Sequence, residues 1–397
     1  MIGSPMRTRR ATKLAKTAFW VSAAGIVHTH VTYPLSLAAL RRMRSKPESV
    51  PRSIDTTEGD IELPLVSLIV AAFDEEEVIG EKVANALASD WPRDRLEIVV
   101  ASDGSGDGTV EAARAAGADV VLDLPRGGKM AAQNAAAESA RGAILAFSDA
   151  NSTWEPDALG ALVDAFDDPA VGYASGEVNF TADDADLSAD NEEGAYWRLE
   201  NMIREAESEL GGITAGNGAI YAVRREAYRP LPPSRSHDLS FPFELRKEGW
   251  RSVHVGDARA SEKMVPTTKG EFARKRRMMI GLPDIVIADR MWDLRGYGPM
   301  FGYEIFSHRL LRYASPFLHV KLFAANLLLL RAGWIYRVAL VKQLAIFGLA
   351  AAADVLPIRP ARLARYYVLV TASIALGFWD RWRQGPPAAW EKSEGTR

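Results

Sequence analysis

The residues best equipped for chemistry stand where short apolar runs stop. In residues 143–159, AILAFSDANSTWEPDAL, such a run ends at Asp149, with Asn151 two positions on. Side chains alternate along an extended segment, so Asp149 and Asn151 can offer one carboxylate and one amide oxygen to the same ion. The plainer reading is a turn leading into a capped helix. Asp74 and Glu75 follow a first run of this kind and Asp103 a second. Carboxylates gathered at several run ends suit a nucleotide diphosphate held through a divalent cation, which needs oxygen ligands for the metal and acceptors for base and ribose donors. An ion there would neutralise a departing diphosphate, which is Lewis-acid assistance of leaving-group loss.

The elements that must position these residues are legible around them. Residues 65–72, 96–102, 118–124 and 143–149 are β-rich runs, and the stretches between them, EEEVIGEKVANALAS, GTVEAARAAG and GGKMAAQNAAAESARG, read as helices. Strands alternating with helices predict a parallel sheet covered on both faces, with ligands bound beyond the carboxyl ends of the strands. Gly104, Gly106 and Gly108 lack the G-x-G-x-x-G spacing of a dinucleotide loop, because position 109 is Thr; RGGKM lacks the spacing and the Ser or Thr of a triphosphate-binding loop. Dehydrogenase and P-loop readings lose ground. Asp107 reads as a helix cap.

The chain has 397 residues, 48% hydrophobic and 25% charged, with a net charge of -3 and no cysteine. Disulfides, thiolate metal sites and cysteine nucleophiles are excluded, and nucleic acid has no compositional support as a partner. The six histidines have no zinc-like spacing; His28 and His30 read as polar contacts between helices. Residues 17–40 contain no Asp, Glu, Lys or Arg and are flanked by basic residues on both sides, which predicts a membrane helix in preference to a signal peptide, since no small-x-small cleavage site follows. Residues 310–330, 335–356 and 366–379 are apolar but contain or adjoin Lys321, Arg331, Arg337 and Lys342. A soluble helical domain is the alternative, and Trp334, Tyr336, Tyr366, Tyr367, Trp379 and Trp382 near the run ends favour a membrane interface.

Taken in order, VAAFDEEEVI, VVASDGSGDGT, GGKMAAQNAAAESARGAILAFSDAN, GAIYAVRR, HDLSFPFELRKEGWR and FARKRRM resemble the motifs of family 2 glycosyltransferases. The closest likeness is to the membrane-embedded branch that includes cellulose, hyaluronan and poly-N-acetylglucosamine synthases. The resemblance covers residues 65–280 well and implies an α/β fold of the GT-A type, with one N-terminal and about three C-terminal transmembrane helices. It implies that Ala72, Phe73, Asp74, Glu75 and Asp103 hold base and ribose, that Lys129 approaches the nucleotide, and that Asp149 and Asn151 hold Mg²⁺ or Mn²⁺ on the diphosphate. The family usually has Asp where Asn151 stands, so the ion is held with less charge. Asp238 takes the place of the base that deprotonates the acceptor hydroxyl in an inverting transfer. It can equally cap the helix that follows, and His237 beside it can tune Asp238 or be a polar turn residue, the latter being the preferred reading. Gly216, Asn217 and Gly218 resemble the stretch lining the acceptor pocket, and Trp197, on a long amphipathic helix, can stack on a sugar or be plain core.

Processive relatives carry Gln-x-x-Arg-Trp where this chain has Arg274-Lys275-Arg276-Arg277-Met278. Arg277, helped by Arg274, keeps the diphosphate-binding charge, and the Trp is replaced. The expected organisation is a tail and helix over 1–46, a linker over 47–64, the catalytic domain over 65–265, an interface segment with the basic motif over 266–300, membrane helices over 301–382, and a tail over 383–397. The resemblance implies a UDP-sugar as donor, a lipid-linked or growing glycan as acceptor, membrane lipids as partners, and a cell (plasma or inner) membrane location with the catalytic domain in the cytoplasm. Arg359, Arg362 and Arg365 then lie inside, as the positive-inside rule asks, whereas the basic N-terminal tail does not. The alternative is a catalytically idle or partner-dependent membrane subunit of a polysaccharide export complex.

Overall fold

The computed structural model describes residues 5–43, 63–181, 192–263, 268–356 and 358–385. Its centre is one mixed sheet of β1 (Val66–Ala72), β2 (Leu96–Asp103), β3 (Val120–Leu124), β4 (Ile144–Asp149), β5 (Thr153–Trp154), β6 (Val171–Thr181), β7 (Ile220–Arg224) and β8 (Arg251–Lys263). The spatial order is β3-β2-β1-β4-β7-β6-β8-β5. VSLIVAA and LEIVVASD are buried almost throughout, as expected of strands covered on both faces. One face packs Ile79, Val83 and Ala113 on Leu68 and Val70. The other packs Met130, Ala132 and Ala136 on Ile69 and Val99.

Strand register places the site. Ala72 pairs with Ser102, and Ala71 with Asp149, so the parallel strands β1, β2 and β4 end level with one another. Phe73, Asp103 and Asp149 therefore emerge at one sheet edge.

The expected parallel sheet holds only for β3-β2-β1-β4. β7 runs antiparallel to β4 and β6, and β5 antiparallel to β8, whereas β6 and β8 are parallel. VGYASGEVNFT and RSVHVGDARASEK mix small and polar residues with apolar ones and lack the continuous apolar pattern of β1 and β2. Their pairing shifts register beside Gly172 and Gly176. A Cβ on Gly176 would come 2.4 Å from the Ala258 carbonyl oxygen, so close backbone approach requires glycine there.

The chain ends form a helical body. Helix Pro5–Val27 continues through a π-helical turn, His28–Thr32, into helix Tyr33–Met43. Ala15 and Phe19 pack with Leu322, Ala325, Leu329 and Tyr336, and Tyr33 and Leu37 with Ile203 and Ala206. His28 Nε2 lies 2.9 Å from Ser307 Oγ, an interhelical polar contact of the expected kind. In the expected interface segment, Leu282, Ile285, Met291 and Tyr297 form a core with Phe243 and Phe301. Most of the expected linker lies outside the described residues, as does the tail beyond 385.

Among the described residues, one helix, Trp334–Ala352, is long and apolar enough to cross a membrane. The other expected spans fall short of that measure. Pro5–Val27 begins with a run of basic residues, Tyr33–Met43 is short, Leu311–Leu329 contains Arg312 and Lys321, and Arg359–Gln384 is charged at both ends. Large exposed apolar residues are nonetheless concentrated in this body. Between 63 and 277 the described ones are Leu87, Leu199 and Met202, whereas the terminal helices expose Trp20, Val31, Leu35, Val320, Leu328, Trp334, Val341 and others.

Candidate active site

The turn after β1 is tied to the turn after β2. Asp74 has φ +51°, a left-handed conformation that Asp tolerates. Its Oδ1 accepts the Gly106 amide at 2.7 Å, and its own amide donates to Ser105 Oγ at 3.0 Å. Glu75 begins the next helix, its carbonyl accepting the Val78 and Ile79 amides. Asp107 is not the expected cap, since the N-cap of helix Thr109–Ala115 is Gly108; its Oδ1 accepts the Thr109 amide at 3.1 Å and its Oδ2 the Glu76 amide at 3.2 Å, tying this loop to the turn after β1. Asp74 thus shapes the loop, while Ala72, Phe73, Glu75, Asp103, Lys129, Asp149 and Asn151 line one cleft.

Asp103 is 3% exposed and well satisfied. Oδ1 accepts the Gly127 and Gly128 amides at 2.7 and 2.9 Å, and Oδ2 accepts Arg126 Nη1 at 2.9 Å. Gly128 has φ +90°, which favours glycine, and it places Lys129 at the start of helix Lys129–Ser139. The Arg126 guanidinium lies 3.2 Å from the Phe73 ring centroid. Arg126 had no signature of its own in the sequence; the sign was its position ahead of Gly-Gly after a strand.

Asp149 forms an ion pair with Lys129 across the cleft. Burial lowers the pKa of the ammonium, but the charge and hydrogen bond of Asp149, with Asp238 and Glu262, outweigh it and raise Lys129 above its usual value. Lys82 was missed in the sequence, hidden on the core face of helix Glu76–Leu87. It is 3% exposed and donates to the Ser152 carbonyl at 2.8 Å, which fixes the turn carrying Asn151. Burial pulls its pKa down to about 7. Glu262 on β8, also missed, is near enough that its charge acts on both lysines.

No cluster of three or more His, Cys, Asp or Glu side chains suited to a metal occurs among the described residues. Asp149 and Asn151 nevertheless line the same cleft and offer oxygen donors only. That set fits a hard cation which takes its remaining ligands from diphosphate and water.

Among the residues expected to meet the acceptor, Asp238 lies in the first turn of helix His237–Lys247; the N-cap is Ser236, so the capping alternative for Asp238 does not hold. Its carbonyl accepts the Gly216 amide at 2.8 Å, and its carboxyl carbon is 4.0 Å from where a Cβ on Gly218 would stand. A Cβ on Gly216 would come 1.9 Å from Tyr173 Oη. Asn217 is held by Ser175, whose Oγ accepts its amide at 2.7 Å. His237 is not a turn residue. It is buried, stacked on Phe241 at 4.3 Å and 2.6 Å from Tyr221 Oη, and burial with the charge of Lys129 lowers its pKa to about 3.

Trp197 stands 5.5 Å from Phe180, and Arg274 lies 6.0 Å over the same Phe180 ring. Arg274 and Arg277 belong to helix Thr268–Met278 and are not part of the cleft lining. Their neighbour Arg276 pairs with Asp380 of the last helix at 2.5 and 2.7 Å.

Residues 67–231 match the sequence profile described as Glycosyl transferase family 2. The chain carries a family 2 glycosyltransferase domain. It is similar to a beta-monoglucosyldiacylglycerol synthase of Synechocystis sp., 26% identical over 66% of this chain and 57% of the relative. It is also similar to an N-acetylglucosaminyltransferase of Rhizobium leguminosarum bv. viciae, 28% identical over 63% of this chain and 66% of the relative. The chain thus spans somewhat over half to about two thirds of these curated relatives. A mannosyltransferase from Pyrobaculum calidifontis, solved with GDP-Man and Mn²⁺, superposes with TM-score 0.69 at 23% identity, covering 93% of this chain and 99% of that one. That likeness shows a GT-A-like fold for the glycosyltransferase domain and its helices.

Proposed function

We propose that the protein is an inverting, metal-dependent glycosyltransferase that moves a sugar from a nucleotide diphosphate, a UDP-sugar, to a lipid-linked or growing glycan acceptor at the cytoplasmic face of a membrane. The observation that carries this reading is the single cleft lined by Phe73, Asp103, Lys129, Asp149 and Asn151, with Asp238 near enough for its charge to act on Lys129. The Phe73 ring, stacked on Arg126, offers a flat surface for a base, Glu75 offers an acceptor to base or ribose, and Asp103 holds the turn that presents Arg126 and Lys129 to the nucleotide. Lys129 neutralises the diphosphate. Asp149 and Asn151 would hold Mg²⁺ or Mn²⁺, which supplies further charge neutralisation to the leaving group.

Asp238 takes the proton of the acceptor hydroxyl as its oxygen bonds to the anomeric carbon. The bond from that carbon to the diphosphate oxygen breaks with its electron pair on the diphosphate, and configuration inverts in one in-line step. Support also comes from the relatives, named as sugar transferases, and from the Mn²⁺ and GDP-Man of the mannosyltransferase. The test is nucleotide diphosphate release by detergent-purified protein across UDP- and GDP-sugars, with and without Mg²⁺ or Mn²⁺. Release from one donor that requires the ion and is lost in Asp149→Ala and Asp238→Asn is expected. Absence of release from every donor, with membrane lipid extract supplied as acceptor, would refute it.

A further inference from the structure

The segment that carries Asp149 and Asn151 is gripped from behind by helix Glu76–Leu87. Lys82 and Asn85, three residues apart, share a face of that helix. Lys82 is 3% exposed, and its Nζ donates to the Ser152 carbonyl at 2.8 Å and to Asn85 Oδ1 at 3.4 Å. Asn85 Oδ1 accepts the Trp154 amide, and Asn85 Nδ2 donates to the Trp154 carbonyl, both at 2.9 Å. β5 is the last strand of the sheet, with β8 on one side. On the other side the Asn85 amide makes the pair of hydrogen bonds that a neighbouring strand would make.

The turn between these anchors and β4 is short. The Asp149 carbonyl accepts the Ser152 amide at 3.2 Å, which closes a four-residue turn with Asp149 and Asn151 both inside it. Ala150, between them, is buried in the core. The buried Trp154 indole N–H donates to the Ala219 carbonyl at 3.1 Å, and Lys82 Nζ lies 5.1 Å from the same ring. The turn is thus fixed by β4 before it and by Lys82, Asn85 and Trp154 after it. Lys82 and Asn85 are not part of the cleft lining, so they act on the site through the backbone they hold.

We propose that Lys82 and Asn85 are positioning residues for the divalent cation, holding the backbone at Ser152 and Trp154 so that Asp149 and Asn151 turn their oxygens to one ion. The inference rests on the metal-dependent transferase reading and names what sets the ion's affinity. Two protein ligands, one of them an uncharged amide, bind a hard cation weakly unless they are held in place. Groups that orient the ligands of a metal from behind typically contribute 10–100-fold to its affinity.

The test is binding of UDP and of GDP to the full chain in detergent, with Mn²⁺ or with EDTA in its place. The wild type is expected to bind one of the two more tightly with Mn²⁺. Lys82→Met and Asn85→Ala are each expected to weaken Mn²⁺ binding to the nucleotide-loaded protein by about 10–100-fold, with nucleotide affinity in EDTA unchanged. Lys82→Gln, which keeps a donor, is expected to restore part of the loss. A purely structural role would change the affinities with Mn²⁺ and with EDTA alike. Asn85 is half-buried, so Asn85→Ala decides the matter if Lys82→Met fails to fold. Variants that keep the full Mn²⁺ effect overturn the inference alone. A wild type whose nucleotide binding ignores Mn²⁺ refutes the metal dependence of the proposed function, and the inference with it. If neither nucleotide binds under any condition, the result counts against the transferase reading, and Mn²⁺ binding to the nucleotide-free chain, read from the electron paramagnetic resonance of free Mn²⁺, compares the same variants.

Discussion

Asp103 clamps the turn that delivers Lys129, because its two oxygens accept the Gly127 and Gly128 amides and the Arg126 guanidinium. In Asp103→Asn an amide N–H₂ replaces one acceptor among donors. A loss of about 2–3 kcal/mol is expected, read from the urea unfolding midpoint, together with weaker nucleotide diphosphate binding. Lys82 gives a pH signature. Its folded pKa, near 7, lies below its ordinary 10.5, so between these values the unfolded chain binds the extra proton and stability rises with pH. The unfolding free energy of the wild type relative to Lys82→Met, read from urea melts, should therefore climb from pH 7 to pH 10, by on the order of 1 kcal/mol per pH unit crossed. A flat difference would mean that Lys82 keeps its charge throughout. Asp103, Lys129 and Asp149 were visible in the sequence because each follows a strand or a glycine pair. Lys82 and Glu262 were not, because a lysine on a helix and a glutamate in a polar strand look like solvated residues until the fold buries or juxtaposes them.

At the scale of elements, β1 to β4 and the helices between them were legible because continuous β-branched runs and alanine-rich helices have different periods. β6 and β8 were not, since Gly172, Gly176 and Gly256 interrupt runs that together contain more polar than apolar residues. Their pairing is decided by long-range contacts, above all by close backbone approach at glycines. Gly216 makes the same point where the acceptor stretch passes Tyr173. Gly216→Ala must displace a fully buried tyrosine and is expected to cost about 1–3 kcal/mol. Gly160, within helix Ala158–Asp164, has nothing within 4 Å of an added Cβ. There the alanine replacement should gain about 0.5–1 kcal/mol from helix propensity. Thermal melts of the pair test whether backbone approach or chain entropy governs each glycine; a neutral Gly216→Ala would show that Tyr173 yields easily.

For the whole molecule, exposed apolar surface separates two regions. The glycosyltransferase domain keeps its large apolar residues inside, whereas the helices from both chain ends turn them outward, and Leu344 and Phe347 on Trp334–Ala352 are 52% and 50% exposed. Hydrocarbon around that helix would account for the exposure. In helix Leu311–Leu329 the charge of Arg312 finds a protein partner in Glu200. Replacing Leu344 and Phe347 by Lys should cost about 2.5–3.5 kcal/mol for each residue placed near the middle of a span. In an alkaline carbonate wash of membranes from the expressing cells, the wild type should stay in the pellet and the doubly substituted protein should move to the supernatant. Leu87→Lys, an exposed change on the catalytic domain, should leave the distribution as it was. Release of the wild type by carbonate would assign the outward apolar face to a protein partner, because only burial in hydrocarbon resists that wash.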